Sequence, residues 1–168
     1  MITTVGEPTL TNLVDQIVNK NAAQAQKIQS VLDFVTEHIK YDEKEFYFGR
    51  EFLQRFNETL IAREGDCSNK SILLASMLEQ MEIEYLLVYT PNHIYVAVPS
   101  EEFGDENKYE FKFNDKIWSP AETTLKGFRI GKTLVKNDKA LKDIKFVQNP
   151  NFKNQIFSYP DGKMILFN

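Results

Sequence analysis

At 168 residues with a net charge of −4, the chain has material for one well-formed core and is too short for two. Acidic and basic residues are interspersed, which leaves no footprint for nucleic acid or an anionic membrane surface, and no apolar run reaches membrane-spanning length. A single cysteine excludes an internal disulfide framework, and one Cys with two His argues against a dedicated Cys/His zinc site.

The first residues, Met1-Ile2-Thr3-Thr4-Val5-Gly6-Glu7, lack the basic-then-apolar pattern of a signal peptide. Residues 8–20 predict a helix, because Leu10, Leu13, Val14, Ile17 and Val18 recur at helical spacing and Thr9 or Thr11 can cap its start. A second helix over 22–40 carries the stripe Ile28, Val31, Leu32, Val35 and Ile39. Residues 41–64 are mixed and aromatic (Phe46, Tyr47, Phe48, Phe52, Phe56) and read as loop plus a short helical turn. A third helix starts at Cys67 and runs to Met81, burying Ile72, Leu73, Met77, Leu78 and Met81.

The hydrophobic period then changes. Residues 84–89 and 93–98 are rich in β-branched and aromatic side chains and predict two strands joined tightly at Pro91-Asn92. Residues 108–113 alternate strictly, and Asn114-Asp115 turns the chain into Lys116-Ile117-Trp118. Tyr159-Pro160-Asp161-Gly162-Lys163, between Ile156-Phe157 and Met164-Ile165-Leu166, predicts a terminal hairpin. Helices first and antiparallel strands after make an α+β layout with no internal repeat.

The chemistry concentrates in three residues. Cys67 follows Arg63-Glu64-Gly65-Asp66, where Gly65 permits a sharp turn and Asp66 or Ser68 can cap the helix. A thiol in the first helical turn lies at the positive end of the helix dipole, which favours thiolate. His93 opens its strand and shares a face with Tyr95 and Ala97, so a Cys67 helix packed on that face would bring thiol and imidazole together. Glu122 supplies a carboxylate to accept the second imidazole N–H and fix the ring, with Glu110 and Asp115 as competitors. The other histidine, His38, lies at the edge of the second helix's stripe and reads as structural or solvent-exposed. Nucleophile, base and carboxylate in this order suit thiol-dependent acyl transfer.

These residues resemble the transglutaminase-like (papain-like) superfamily, in particular its microbial transglutaminase-like cysteine peptidase branch. The resemblance rests on Arg63-x-Gly65-x-Cys67, the helix from Lys70 to Met81, Asn92-His93-x-Tyr95-Val96-Ala97-Val98, Trp118 followed by Pro120-Ala121-Glu122-Thr123, and Phe34-Val35-x-x-x-Ile39-x-Tyr41 upstream. It implies a papain-like fold with the nucleophile at a helix N-terminus. It also implies Cys67 as nucleophile, His93 as general base then acid, Glu122 as the orienting carboxylate, and the Cys67 N–H as part of an oxyanion hole. The chain departs from the family pattern twice. Glu122 stands where the family commonly has Asp, and Ser68-Asn69 stand where many relatives carry acidic residues. Gln54 and Asn57 have the chemistry of a side-chain oxyanion donor without a positional match.

The expectation is therefore one transglutaminase-like domain over residues 1–168, with its core at about 24–125 and a C-terminal extension, 126–168, packed on it. Its expected activity is that of a cysteine peptidase or amidase acting through a thioacyl intermediate on a peptide or protein, without cofactor or metal. The alternatives are a catalytically idle peptide- or protein-binding module and a protein-crosslinking acyltransferase. The missing leader pattern points to the cytoplasm, unless the chain is an excised fragment of a secreted or membrane protein.

Overall fold

Helix α1 (Pro8–Ile17) opens with proline in the first turn, where the absent N–H loses no helical bond. Its cap is neither expected threonine: the Glu7 carboxylate accepts the Leu10 N–H at 2.6 Å. Thr11 instead donates to Gln80 Oε1 at 2.9 Å, which ties α1 to the far end of the Cys67 helix. The computed structural model describes residues 2–43, 52–91, 93–100, 103 and 109–134, together with backbone strands at 145–148, 156–158 and 164–166. The aromatic residues 46–48, the connection at Asn92 and the turn at Pro160-Asp161-Gly162 lie outside the described residues.

Helix α2 (Gln24–His38) buries the whole predicted stripe, Ile28, Val31, Leu32 and Val35, with Ile39 just past its end. Strand β1 (Lys40–Tyr41) then pairs in parallel with β2 (Glu64–Gly65), which follows helix α3 (Phe56–Ala62). The main-chain bonds Lys40 N to Arg63 O (2.9 Å) and Asp42 N to Gly65 O (3.1 Å) hold the end of α2 against the approach to Cys67.

Helix α4 (Cys67–Gln80) is central, contacting the three other helices among the described residues, β2 and β4. It is buried nearly all round, from Ser68 to Glu79, rather than along the single apolar stripe its sequence predicts. Burying Leu73, Leu74, Met77 and Leu78 removes about 1.5–3 kcal/mol of exposed apolar cost for each side chain. Its polar residues need partners inside the protein. Lys70 Nζ donates to Ile39 O at 2.8 Å, capping the end of α2, and Glu79 accepts from the Tyr85 hydroxyl at 2.8 Å.

Strands β3 (Leu86–Thr90), β4 (His93–Pro99), β5 (Phe111–Phe113), β6 (Lys116–Ala121) and β7 (Lys145–Gln148) form an antiparallel sheet ordered β5-β6-β4-β3-β7. Asn114 and Asp115 both take positive φ (49° and 59°), the conformation of the tight two-residue turn that joins β5 to β6. β8 (Ile156–Ser158) pairs with β9 (Met164–Leu166), matching the predicted terminal hairpin. The α+β reading of the sequence is the architecture observed.

Two cores follow from the alternation of side chains across the sheet. Ile94, Val96, Val98 and Ala121 pack with α1, α2 and α4, while Leu86, Val88, Tyr95, Ala97, Phe113 and Trp118 are buried on the opposite face.

Candidate active site

Cys67 is the first residue of α4, so its N–H has no acceptor within the helix. Asp66 caps the helix by accepting the Asn69 N–H at 2.8 Å. Gly65 is required here for space. Its φ is not positive, but a Cβ would stand 2.9 Å from Asn69 Cβ and 3.3 Å from Thr59 Cγ2. The expected sharp turn at Gly65 is thus a close approach of α3 and α4. Asn69 locks that junction from the other side, donating to Phe52 O at 3.0 Å and accepting from Gln54 N at 2.7 Å.

The structure brings imidazole and thiol together by a different route from the one expected. Helix α4 packs on the face of β4 that carries Ile94, Val96 and Val98, opposite the face shared by His93, Tyr95 and Ala97. The two groups meet at the start of the strand: Ser71, one turn after Cys67, donates to Ile94 O at 3.3 Å, and His93 hydrogen-bonds Cys67. His93 is the first residue of β4, so it sits at the strand end nearest the start of α4.

Glu122 lies one residue past β6. The register Val96↔Ala121 and Pro99↔Trp118 sets it beside Tyr95, on the His93 face. Its Oε2 is 2.7 Å from His93 Nε2, and its side chain is fully buried while that of His93 is 16% exposed. With Nε2 on the carboxylate, Nδ1 is the ring nitrogen left for the thiol. The competing carboxylates are elsewhere: Glu110 is exposed, and Asp115, 97% exposed, pairs with Lys112 at 3.1 Å.

Burial alone pushes the His93 imidazolium toward deprotonation. Hydrogen bonds to Cys67 and Glu122, with the charges of both groups, outweigh that effect and raise its pKa to about 9. The geometry therefore favours an imidazolium held between a sulfur and a carboxylate. Tyr95 lies beside this pair, its ring stacked on His93 with centroids 6.0 Å apart and planes at 28°. Burial, then the charges of Tyr109 and Glu122, raise the Tyr95 pKa far above the ordinary phenol value and keep it neutral.

Gln54 and Asn57 serve local structure. Gln54 Oε1 accepts from the Thr59 hydroxyl at 3.0 Å, and exposed Asn57 accepts the Glu58 N–H at 3.1 Å. His38 is exposed, its ring 5.1 Å from that of Phe34. Among the described residues no group of three or more His, Cys, Asp or Glu side chains is placed to hold a metal ion, and no helix is long and apolar enough to cross a membrane.

Sequence reading missed the other side of Glu122. Its Oε1 accepts from the Thr133 hydroxyl at 3.0 Å and from Leu134 N at 3.3 Å. Neither residue carries a sequence signal, because the contact depends on how the chain returns after β6.

No curated protein matches the sequence. A crystal structure of a "putative protease" from Parabacteroides distasonis ATCC 8503 aligns with 98% of this chain at 12% identity and a TM-score of 0.47, and this chain spans 28% of that protein. The sequence profile of the transglutaminase-like superfamily matches residues 11–123, a stretch that holds Cys67, His93 and Glu122 and ends just past the carboxylate. The chain belongs to the transglutaminase-like superfamily.

Proposed function

We propose that this protein is a thiol-dependent acyl-transfer enzyme, a cysteine peptidase or amidase that hydrolyses a peptide or amide bond. The observation that carries the reading is the bridging position of His93, bonded to the thiol at the start of α4 and to a fully buried carboxylate 2.7 Å away. A carboxylate taken wholly out of water is costly unless paired, and here its partner is the imidazole beside the lone cysteine.

In this reading His93 Nδ1 takes the Cys67 proton, and Sγ attacks the carbonyl carbon as the C=O π pair moves onto oxygen. The Cys67 N–H at the helix start donates to that oxyanion. The imidazolium then protonates the leaving nitrogen, the C–N bond breaks, and a thioester remains. Water, deprotonated by His93, attacks the thioester, and cleavage of the C–S bond returns the thiolate and releases the acid. Glu122 stays ionised throughout, orienting the ring and balancing its charge. Hydrolysis is preferred to transfer because water is always at hand, whereas transfer requires a site that binds an amine and excludes water.

The test is labelling with peptidyl electrophiles of varied sequence, read by mass spectrometry, followed by turnover of the matching peptide amides. Modification of Cys67 with release of free acid is expected. An unreactive thiol in the folded protein overturns the enzyme reading. Labelling without turnover of any acyl donor leaves a binding module, and amine conjugates in place of acid identify a transferase.

A further inference from the structure

The carboxylate of Glu122 is held on two sides, and the side facing away from His93 is built by chain beyond the family match, which ends at residue 123. After Thr124 the backbone turns at Gly127 and Gly131, both with positive φ (76° and 89°), and runs back along β6. Gly131 N donates to Pro120 O at 2.7 Å, on a stretch of β6 past its pairing with β5. Gln29 of α2 clasps the returning chain from the other side, donating to Phe128 O at 3.1 Å and accepting from Ile130 N at 3.1 Å. Ile130 inserts into the helix-side core. The strap of residues 127–134 is thus fixed at four points before it delivers the Thr133 hydroxyl and the Leu134 N–H to Glu122 Oε1.

We infer that this strap belongs to the site, and that Thr133 is a positioning residue that fixes the Glu122 carboxylate and, through it, the His93 ring. The inference rests on the catalytic reading above. A carboxylate turns easily about its terminal torsion, and either oxygen can accept from an imidazole. With Oε1 engaged by two donors, only Oε2 is presented to Nε2, so one ring orientation and one tautomer are selected. Without the Thr133 hydroxyl, buried Oε1 keeps the longer Leu134 contact alone. The carboxylate can then rotate toward Leu134, away from His93.

The experiment compares Thr133→Val, which keeps the shape and removes the hydroxyl, with Thr133→Ser, which keeps the hydroxyl. On a peptide amide turned over by the wild type, Thr133→Val is expected to lower kcat by about tenfold, the scale of one hydrogen bond to a charged group. KM should stay within about twofold, since Thr133 acts through Glu122 and not on substrate. Thr133→Ser should recover most of the rate. In parallel, NMR of the His93 imidazole should show its titration midpoint falling in the valine variant and restored in the serine variant, with a melting point lowered in the valine variant and recovered in the serine variant. Unchanged kcat and titration in Thr133→Val overturn the inference, as does a serine variant as impaired as the valine. If the wild type hydrolyses nothing, the catalytic reading falls by itself, and the imidazole titrations of the two variants still decide whether the strap holds the pair.

Discussion

Replacing Glu122 with glutamine tests the site in a direction that the geometry dictates. Oε1 accepts from two donors, the Thr133 hydroxyl and Leu134 N–H, so the glutamine carbonyl must take that side. Its NH2 group then faces His93 Nε2, where the native Oε2 stands 2.7 Å away. An NH2 donor there obliges Nε2 to accept, which moves the ring proton to Nδ1, the nitrogen turned to Cys67. The base can no longer receive the thiol proton. The wrong tautomer in a triad of this logic costs about 10⁴ in kcat, and a loss of roughly 10³–10⁴ is expected here. The charge also disappears, so the burial that depresses the imidazole is opposed only by Cys67, and the His93 pKa should fall well below its native value of about 9. Near neutral pH stability should fall by the part of the His93 stabilisation that Glu122 supplies, offset in part because the amide keeps three hydrogen bonds and the burial of a charge is relieved. The assays are steady-state turnover, imidazole nitrogen shifts that report the tautomer, and a thermal melt. A Glu122→Gln variant with kcat within a few-fold of wild type and an unaltered His93 titration would refute the reasoning.

Stability should itself depend on pH through His93, whose folded pKa is raised to about 9 from 6.5. The stabilisation is complete below about pH 6.5 and lost as pH rises through about 9, with an upper size of about 3 kcal/mol that His93→Asn should abolish in denaturant titrations at pH 6 and 9.5. Lys70 acts with the opposite sign. Burial lowers its pKa from 10.5 to about 8, so the unfolded chain holds the proton that the folded one releases, and native stability rises over that window. Lys70→Met, which lacks this gain and leaves Ile39 O without its donor, should become more destabilising by about 3 kcal/mol between pH 7.5 and 10.5, and a constant difference would contradict a buried titrating amine. Gly65→Ala should lower stability by about 1–3 kcal/mol through its contacts with Asn69 and Thr59, seen as a melting point several degrees lower, and an unchanged melt would show that α3 and α4 can part without cost.

What the sequence determined by itself is what local periodicity and local chemistry encode. The α2 stripe, the start of α4 at Cys67, the β4 strand opening with His93 and the turn at Asn114-Asp115 each write their geometry within a few residues, because helical and extended backbones repeat over 3.6 and 2 positions. The order of Cys67, His93 and Glu122 was legible for the same reason: a thiol at a helix start and an imidazole on a strand are local facts. Which face of β4 receives α4 is not. His93, Tyr95 and Ala97 on one side and Ile94, Val96 and Val98 on the other are both apolar enough to be buried, so only packing in three dimensions chose between them. The burial of Lys70, Ser71, Ser76 and Glu79 was equally hidden, since a polar residue enters a core only where a partner on another element, such as Ile39 O or Ile94 O, is waiting. The second grip on Glu122 depends on Gln29 meeting residues about a hundred positions away. A contact of that span leaves no trace in the spacing of neighbouring side chains, so the tertiary structure alone decided it.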